Sequence, residues 1–166
     1  MELRPFDGEY AATVADWAVT AHEVSLLCER DEFPFPAELL TSWPKVADDI
    51  KSFLFLDGET PVGYGELWLD DEEDEVELAR IIVAAQLRRT GLWRVLVREL
   101  VSQAVAAGYR DVFMRVHPDN DAALGSYRAA GFVPVAPELT AAWNEPQPFD
   151  YVWLQYDPSN RNCFMH

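Results

Sequence analysis

The sequence predicts a mixed α+β fold, and three stretches carry the prediction. Residues 76–108 and 109–135 each give a strand, a loop and a helix, an order that predicts two parallel strands. Residues 52–58 and 61–70 have strand composition and are joined at Asp57–Gly58, so we expect an antiparallel hairpin. The 166 residues contain no repeat or linker, and we expect residues 1–166 to form one domain with a substantial core.

The first half of the chain contributes an opening strand, several helices and three strands. The segment ELRPF predicts a short strand, residues 8–20 an amphipathic helix, and the next stretch a second helix that ends near Cys28. Residues 37–50 predict one or two short helices interrupted at Pro44. After the hairpin, a third strand over residues 75–83 follows the acidic run 70–75, which is typical of a solvated hairpin loop.

A strand, an arginine-rich turn and a long helix follow one another in residues 76–108. The β-branched residues 81–83 favour a strand, and the helix should begin near Gly91 and end at Gly108. Its apolar positions recur at helical spacing: Leu92, Trp93, Leu96, Val97, Leu100, Val101 and Ala104. A helix start with adjacent arginines can hold a phosphate or pyrophosphate, although an ordinary connection with solvated arginines has the same composition.

The last part of the chain repeats the strand, turn and helix order. A strand near residues 109–116 precedes a helix that should start at residues 118–120 and end at Gly131. Within it, Asn120, Ala123 and Tyr127 should share one helix face. Strands at 132–136 and 150–157 flank a proline-rich segment, 137–149, and we expect residues 158–166 to be a poorly ordered tail.

Charge and composition narrow the function classes. A formal net charge of −16 opposes binding to nucleic acid and to anionic membranes, and favours cationic substrates. Arginines are nevertheless concentrated in residues 80–98, a pattern that favours a small polyanionic ligand. There is no signal-peptide pattern and no apolar run of membrane-spanning length, so we expect a cytoplasmic protein. The two cysteines and three histidines show no metal-ligand spacing, so no metal site is predicted.

Two carboxylates fall on otherwise apolar strand faces. Strand alternation puts Glu66 on one face with Val62, Tyr64 and Trp68. It puts Glu77 on one face with Ala79, Ile81 and Val83. Each carboxylate lies either at the sheet margin or in a cleft, where burial would raise its pKa towards the range of a general base.

Two motifs, one in the turn before the long helix and one in the helix after the next strand, resemble those of the GNAT superfamily of acyl-CoA-dependent N-acyltransferases. The first reads arginine or glutamine, two residues, glycine, one residue, then glycine or alanine; it falls on residues 88–93, with Trp93 in the last position. The second reads asparagine, two residues, alanine, three residues, tyrosine, and ends in glycine–phenylalanine. It falls on Asn120, Ala123, Tyr127, Gly131 and Phe132.

The resemblance implies a fold and a cofactor site. The fold would be a mixed, mostly antiparallel sheet with a central splayed parallel strand pair, flanked by helices on both faces. Acetyl-CoA would be the cosubstrate, with its pyrophosphate on the backbone N–H groups of the loop and its pantetheine arm between the parallel strands. The cofactor-binding residues implied are Ile82, Val83, Arg88, Arg89, Thr90, Gly91, Leu92, Trp93, Asn120, Ala123 and Tyr127.

The resemblance also implies a reaction, the transfer of an acetyl group from acetyl-CoA to a primary amine by direct attack on the thioester. A backbone N–H near residues 82–84 would polarise the thioester carbonyl, and Tyr127 would protonate the leaving thiolate. Glu77 occupies the position where some relatives carry the general base, and Glu66 is the rival. We expect a cationic small-molecule or peptide amine as substrate and a monomer or a dimer.

Trp93 leaves a second hypothesis open. A small residue in the first helical turn lets a phosphate approach the backbone, and an indole there could obstruct it. Positions 93, 97 and 101 share an apolar stripe, so the indole could instead turn inward onto the sheet. The alternative to an enzyme is therefore a catalytically degenerate module that binds coenzyme A or a protein partner without acyl transfer.

Overall fold

The computed structural model describes residues 1–159, apart from the side chains of residues 45 and 46, so residues 160–166 of the predicted tail lie outside the described part. Its sheet has the order β1-β2-β3-β4-β5-β7-β6, in which β4 and β5 are parallel and the other neighbours antiparallel. The strands are β1 Glu2–Pro5, β2 Ile50–Asp57, β3 Thr60–Asp70, β4 Glu75–Val83, β5 Asp111–Val116, β6 Phe132–Pro134 and β7 Val152–Tyr156.

The described residues form α-helices α1 Ala11–Ala15, α2 Ala21–Cys28, α3 Glu38–Val46, α4 Leu92–Ala106, α5 Asp121–Leu124 and α6 Pro137–Asn144. The helix predicted over residues 8–20 is a 3₁₀ turn followed by the short α1, and α3 continues through Pro44 without a break. The predicted helix that ends at Gly131 contracts to α5 followed by turns. Helix α6 was not predicted; Pro137 lies in its first turn, where a missing N–H costs no intrahelical bond.

The two faces of the sheet carry different layers. Helix α4 packs on one face with its predicted apolar stripe buried, and we name this side the α4 face. Two strand glycines allow the close approach, because a Cβ added to Gly65 would lie 2.7 Å from a methyl of Leu100. Residues of α1–α3 pack with Leu54, Tyr64 and Ile82 on the opposite face, which we name the charged face. The prediction of helices on both faces is confirmed.

The parallel strands separate part-way along their length. Strand β4 pairs with β5 only over residues 75–78, opposite residues 111–114. Beyond this point β4 stays paired with β3 up to Val83, and β5 stays paired with β7 up to Val116. The predicted splayed parallel pair is confirmed, and the splay opens a gap between the two faces.

A bulge in β4 changes which side chains share a face. Arg80 has a left-handed backbone with φ of 49°, and the pairing with β3 shifts beside it. After the bulge Ile81 and Val83 pack with the core under α4, whereas Glu77 lies on the charged face. The prediction that these residues share one face with Glu77 is therefore wrong, because strict alternation does not survive a bulge.

Candidate active site

A cavity of about 300 Å³ lies at the splay and is lined from both faces of the sheet. From the α4 face, Trp93, Asn120 and Ala123 contribute to its wall. From the charged face, its wall includes the end of α2 at residues 26–29 and the side chains of Glu77, Arg115, His117, Gln147 and Tyr151. The separation of β4 and β5 thus lets one ligand reach residues of both layers.

The loop before α4 presents unpaired backbone donors. Arg89 and Gly91 have φ angles of 65° and 86°, so the chain turns sharply into the helix. Within residues 1–159, no group accepts a hydrogen bond from the backbone N–H of residues 89–94. Because these donors lie at the positive end of a helix of 15 residues, the loop suits a phosphate group.

The arginine side chains of this loop have different surroundings. Arg88 donates to the Glu23 carboxylate and to the carbonyl of Trp17, which ties the loop to α2 and to the segment between α1 and α2. Burial lowers the pKa of the Arg88 guanidinium. Arg89 is exposed, and the Thr90 hydroxyl donates to the Leu87 carbonyl. The loop therefore offers its backbone to an anion, and Arg89 is the motif arginine left exposed to solvent.

The first turn of α4 combines packing with contact to the cavity. Leu92 is buried in the core, and Trp93 is half-buried against that core while also lining the cavity. The two alternatives for Trp93 are therefore compatible, since the indole packs on the sheet and forms part of the cavity wall.

The end of β4 directs one backbone N–H into the splay. The Ala84 N–H donates to the Val62 carbonyl on β3 at 2.9 Å. Successive N–H groups along a strand point to opposite edges, so the Ile82 N–H also points towards β3 and the Val83 N–H points towards the gap. Of the predicted residues 82–84, Val83 is thus the one with a donor available at the splay.

The second motif surrounds α5. Asn120 Oδ1 accepts from the Ala123 N–H at 3.2 Å and caps this helix, and both residues line the cavity. Tyr127 follows one turn later, with its N–H donating to the Ala123 carbonyl at 3.1 Å. Its half-buried ring packs against the core under α4 and is not part of the cavity wall. The structure brings Asn120 and Ala123 to the cavity and places Tyr127 beside them, on the α4 side.

Glu66 is fully buried within a polar cluster on the charged face. Its carboxylate accepts from the Tyr64 hydroxyl, from Trp68 Nε1 at 2.9 Å and from Arg80 Nη1 at 3.1 Å. The pKa of the Tyr64 hydroxyl is raised by burial and by the adjacent Glu66 charge. The guanidinium carbon of Arg80 lies 3.8 Å from the ring centre of Trp43. Glu66 does not line the cavity, and its charge is balanced inside this cluster.

Glu77 lines the cavity in a bidentate ion pair. Arg115 Nε and Nη2 each donate to one Glu77 oxygen at 2.8 Å, and Arg115 Nη1 donates to Gln147 Oε1 at 3.1 Å. The same guanidinium lies 4.7 Å from the ring centre of Trp153. Burial raises the pKa of the Glu77 carboxyl, and the Arg115 charge opposes that change.

Several residues of the cavity were not found from the sequence. The Tyr151 hydroxyl donates to Glu29 across 122 positions of chain, and burial, followed by the Glu29 carboxylate, raises the pKa of Tyr151. His117 Nδ1 accepts from the Asp119 N–H at 3.0 Å. Of these residues, only Arg115 stands out in the sequence, as a charged residue within an apolar strand. Nothing in the sequence indicates that Glu29 contacts Tyr151.

A second cavity of about 840 Å³ shares Trp68, Glu77 and Gln147 with the first and extends along the charged face. The strand register places Glu75 directly beside Asp70 on β3 and beside Asp111 on β5. Burial raises the pKa of Glu75, and the charges of Asp70 and Asp111 raise it further. Further acidic and aromatic residues line it together with aliphatic ones, among them Asp49, Glu72, Phe113, Trp143 and Trp153.

Two further classes of site were sought in the described residues. No group of three or more His, Cys, Asp or Glu side chains in residues 1–159 could hold a metal ion. None of the described helices is both long enough and apolar enough to cross a bilayer.

A splayed parallel strand pair, a cavity that crosses the sheet and a helix start with free N–H groups together suit an extended, phosphate-bearing ligand. The family model of the GNAT acetyltransferases matches residues 12–132. The chain therefore belongs to the GNAT acetyltransferase family, whose members are acyl-CoA-dependent N-acyltransferases. Comparison with curated protein sequences finds no match.

Solved structures with the same fold have low sequence identity. The aminoglycoside acetyltransferase AAC(6')-Ib in complex with coenzyme A and kanamycin is 16% identical, with 96% of each chain covered and a TM-score of 0.73. Spermidine N-acetyltransferase from Vibrio cholerae, in complex with CoA and spermine, is 18% identical, with 81% of this chain and 82% of that one covered and a TM-score of 0.69. A ribosomal-protein-alanine N-acetyltransferase from Brucella melitensis is 17% identical, with 93% and 98% covered and a TM-score of 0.69.

Proposed function

We propose that this protein transfers the acetyl group of acetyl-CoA to a cationic primary amine by direct attack on the thioester. The cavity that crosses the sheet carries the proposal, because it lets a cofactor on the α4 face meet an acceptor on the charged face. In such a reaction bound acetyl-CoA supplies the activated acyl group, and the protein supplies orientation, charge and proton transfer.

The residues at the splay fit the cofactor. The free N–H groups of residues 89–94 suit its pyrophosphate, and the exposed Arg89 would offset the phosphate charge. The Val83 N–H points into the gap, where it would donate to the thioester carbonyl. Asn120 and Ala123 form the adjoining wall. Cofactor binding is thus supported by backbone donors more than by the arginine pair predicted from the sequence.

The charged face supports a cationic acceptor. The chain carries a net charge of −16, and the second cavity joins unpaired carboxylates to aromatic walls, a combination that attracts ammonium groups. The similar structures include acetyltransferases whose names specify an aminoglycoside, spermidine and a ribosomal-protein alanine. The first two names stand for two acceptor classes, aminoglycosides and polyamines, and the third for a protein. We take the first two classes, which carry several ammonium groups, as the acceptors that best fit this face.

The acid and base roles remain predictions. Tyr127 lies on the cofactor side of the sheet, the correct side for protonating a leaving thiolate. Glu77 and Glu66, the predicted rivals for the base, are paired with Arg115 and Arg80, so removal of a proton by either would have to compete with a guanidinium.

A second candidate, the non-catalytic binding module, is favoured by one observation. Trp93 lines the cavity at the helix start, where the family motif has a small residue. An indole at this position would narrow the space for the cofactor's phosphate. The protein would then keep the fold of the family without catalysing acyl transfer.

An acceptor panel separates the two candidates. The protein is mixed with acetyl-CoA and with kanamycin, spermine or an alanine-terminated peptide, and release of free thiol is recorded. We expect turnover with at least one of the two polycations. Binding of coenzyme A without thiol release would favour the module. No binding of coenzyme A in calorimetry at millimolar ligand would reject the enzyme and any module that binds coenzyme A, and would leave only a module that binds a protein partner.

A further inference from the structure

Among the described residues, two carboxylates line the cavity at the splay, Glu29 and Glu77. Both oxygens of Glu77 are held by Arg115, each at 2.8 Å. An ammonium group that approached Glu77 would meet the guanidinium as well, and breaking a part-buried bidentate pair is costly. Glu77 is therefore poorly placed to bind a cationic amine.

Glu29 has the opposite arrangement. It follows the last residue of α2, where a left-handed φ of 63° turns the chain and its N–H donates to the Ser25 carbonyl. One carboxylate oxygen accepts from the Tyr151 hydroxyl, and no described residue donates to the other. The carbonyl end of α2 adds partial negative charge at the same place. Glu29 thus offers a free oxygen at the cavity wall on the charged face.

The remaining titratable groups near the cavity do not compete for this role. Glu66 is fully buried and lies outside the cavity wall. His117 Nδ1 accepts from a backbone N–H, so a neutral His117 carries its proton on Nε2 and has no second acceptor. The hydroxyl of Tyr151 is already donated to Glu29.

We infer that Glu29 binds the nitrogen of the acceptor amine and takes its proton, with Tyr151 as the positioning residue that holds the carboxylate at the cavity. The inference rests on the proposed function. The ammonium group first gives one proton to Glu29, which passes it to solvent, and the neutral nitrogen then attacks the thioester carbon. As the nitrogen–carbon bond forms, the thioester carbon–sulfur bond breaks. The nitrogen gives its second proton to Glu29, and the thiolate leaves with a proton from Tyr127, which solvent replaces, or directly from solvent.

The charged and titratable groups around Glu29 are mostly paired with one another. Those that line the cavity with it are Cys28 from α2, Glu77, Arg80 and Arg115 from the sheet, His117 after β5, and Tyr151 from the segment before β7. Arg115 is paired with Glu77 and Arg80 with Glu66, so among the described residues of this wall Glu29 is the carboxylate without an ion-pair partner. An ammonium group that enters the cavity would therefore meet Glu29 as the available anion.

The first experiment measures binding without chemistry. Kanamycin and spermine are titrated by calorimetry into the full chain and into Glu29→Gln, with coenzyme A present. We expect at least a tenfold loss of amine affinity in Glu29→Gln, with unchanged affinity for coenzyme A and an unchanged melting temperature. Glu32→Gln is the matched control, because Glu32 is three positions away, exposed and paired with Arg30, and it should bind both amines as the parent does.

The second experiment measures turnover. With acetyl-CoA and whichever of the two amines the parent acetylates, Glu29→Gln should lower kcat/KM by about 10²-fold or more. Tyr151→Phe should raise KM for the amine and keep most of kcat, since the Glu29 carboxylate loses the hydroxyl that holds it at the cavity wall. A merely structural role of Tyr151 would not change KM without kcat.

The outcomes separate this inference from the proposed function. If the parent binds the amines but releases no thiol, the proposed reaction fails, and the binding arm still decides the role of Glu29. Parent-like affinity and kcat/KM in Glu29→Gln would overturn the inference, as would a parent that binds neither amine. A folded Glu77→Gln whose kcat/KM falls by about 10²-fold while Glu29→Gln keeps the parent value would return the base to Glu77.

Discussion

The α4 face and the charged face of one sheet are built by different rules. On the α4 face, glycine-bearing β3 and the regular apolar stripe of α4 pack into a continuous hydrocarbon core. On the charged face, the same strands carry two part-buried carboxylate–arginine pairs, a bulge and several tryptophans. The first face is organised by hydrophobic burial and the second by charge balance.

This difference separates the two halves of the proposed reaction. A rigid, apolar face can fix the helix start whose N–H groups would hold a cofactor, because packing determines where those groups point. A charged face can discriminate between acceptors, since each uncompensated carboxylate attracts or repels a ligand by its charge. Substitutions on the α4 face should therefore change catalysis and stability, and those on the charged face should change acceptor affinity and pH dependence.

The largest effect is expected on the α4 face, for Tyr127→Phe. The change removes one hydroxyl and almost no volume, so the fold and coenzyme A affinity should be kept while kcat falls by about 10²-fold or more. Steady-state thiol release at saturating acceptor measures it. Tyr10→Phe, which removes a hydroxyl from a half-buried ring that lines neither cavity, is the control. Unchanged kcat with chemistry limiting would leave Tyr127 as a packing residue.

A smaller effect is expected for Trp93→Ala, which tests whether the indole supports the core, restricts the cavity, or does both. Removing a half-buried indole should cost about 3 kcal/mol or somewhat less, and the melting temperature should fall by about 6–12 °C. Coenzyme A should nevertheless bind more tightly at a temperature where both proteins are folded. Trp93→Phe is the control that keeps an apolar ring.

Weaker coenzyme A binding by folded Trp93→Ala would contradict the obstruction hypothesis. The indole would then be a supporting wall of the cofactor site. Trp93 in place of the small residue of the family motif would not weaken coenzyme A binding.

The smallest effect is expected on the charged face, for Glu75→Gln. Its carboxylate lies between Asp70 and Asp111 in the strand register, and like charges directly opposite each other destabilise a sheet by about 0.2–1 kcal/mol. The variant should melt a few degrees higher at neutral pH and bind spermine more weakly. Glu99→Gln removes the same charge from the exposed side of α4 and controls for net charge.

The pH dependence of Glu75 has a definite sign. Its pKa is raised in the folded protein by burial and by Asp70 and Asp111, so the folded state binds a proton more readily than the unfolded state. At pH values above the raised pKa, the charged Glu75 destabilises the folded protein by its full amount. This destabilisation disappears as the pH falls towards the ordinary pKa of a glutamate side chain. Thermal unfolding at several pH values should show the advantage of Glu75→Gln shrinking as pH falls, and a constant advantage would contradict this explanation.

The sequence determined most of the framework. The β-branched composition of residues 81–83 predicted a strand there, and hydrophobic periodicity predicted a helix start next to Gly91, as in β4 and α4 of the structure. The two strand–loop–helix units predicted the parallel pair, and the motif residues Gly91, Asn120 and Ala123 lie in the loop before α4 and at the cavity. These features depend on local spacing, and local spacing is what a sequence records.

Tertiary structure alone decided the charged face. The bulge at Arg80 reverses the strand alternation that had grouped Glu77 with Ile81 and Val83, and no residue type announces a bulge at that position. The pairing of Glu77 with Arg115 joins neighbouring strands, and that of Glu29 with Tyr151 joins the end of α2 to the segment before β7. Such contacts depend on how distant segments are brought together, and a charge pair leaves no periodic signal in the sequence. For this reason the residues proposed to bind the cofactor could be predicted from their order along the chain, whereas the carboxylate proposed to bind the acceptor could be identified only after its rivals were seen to be paired.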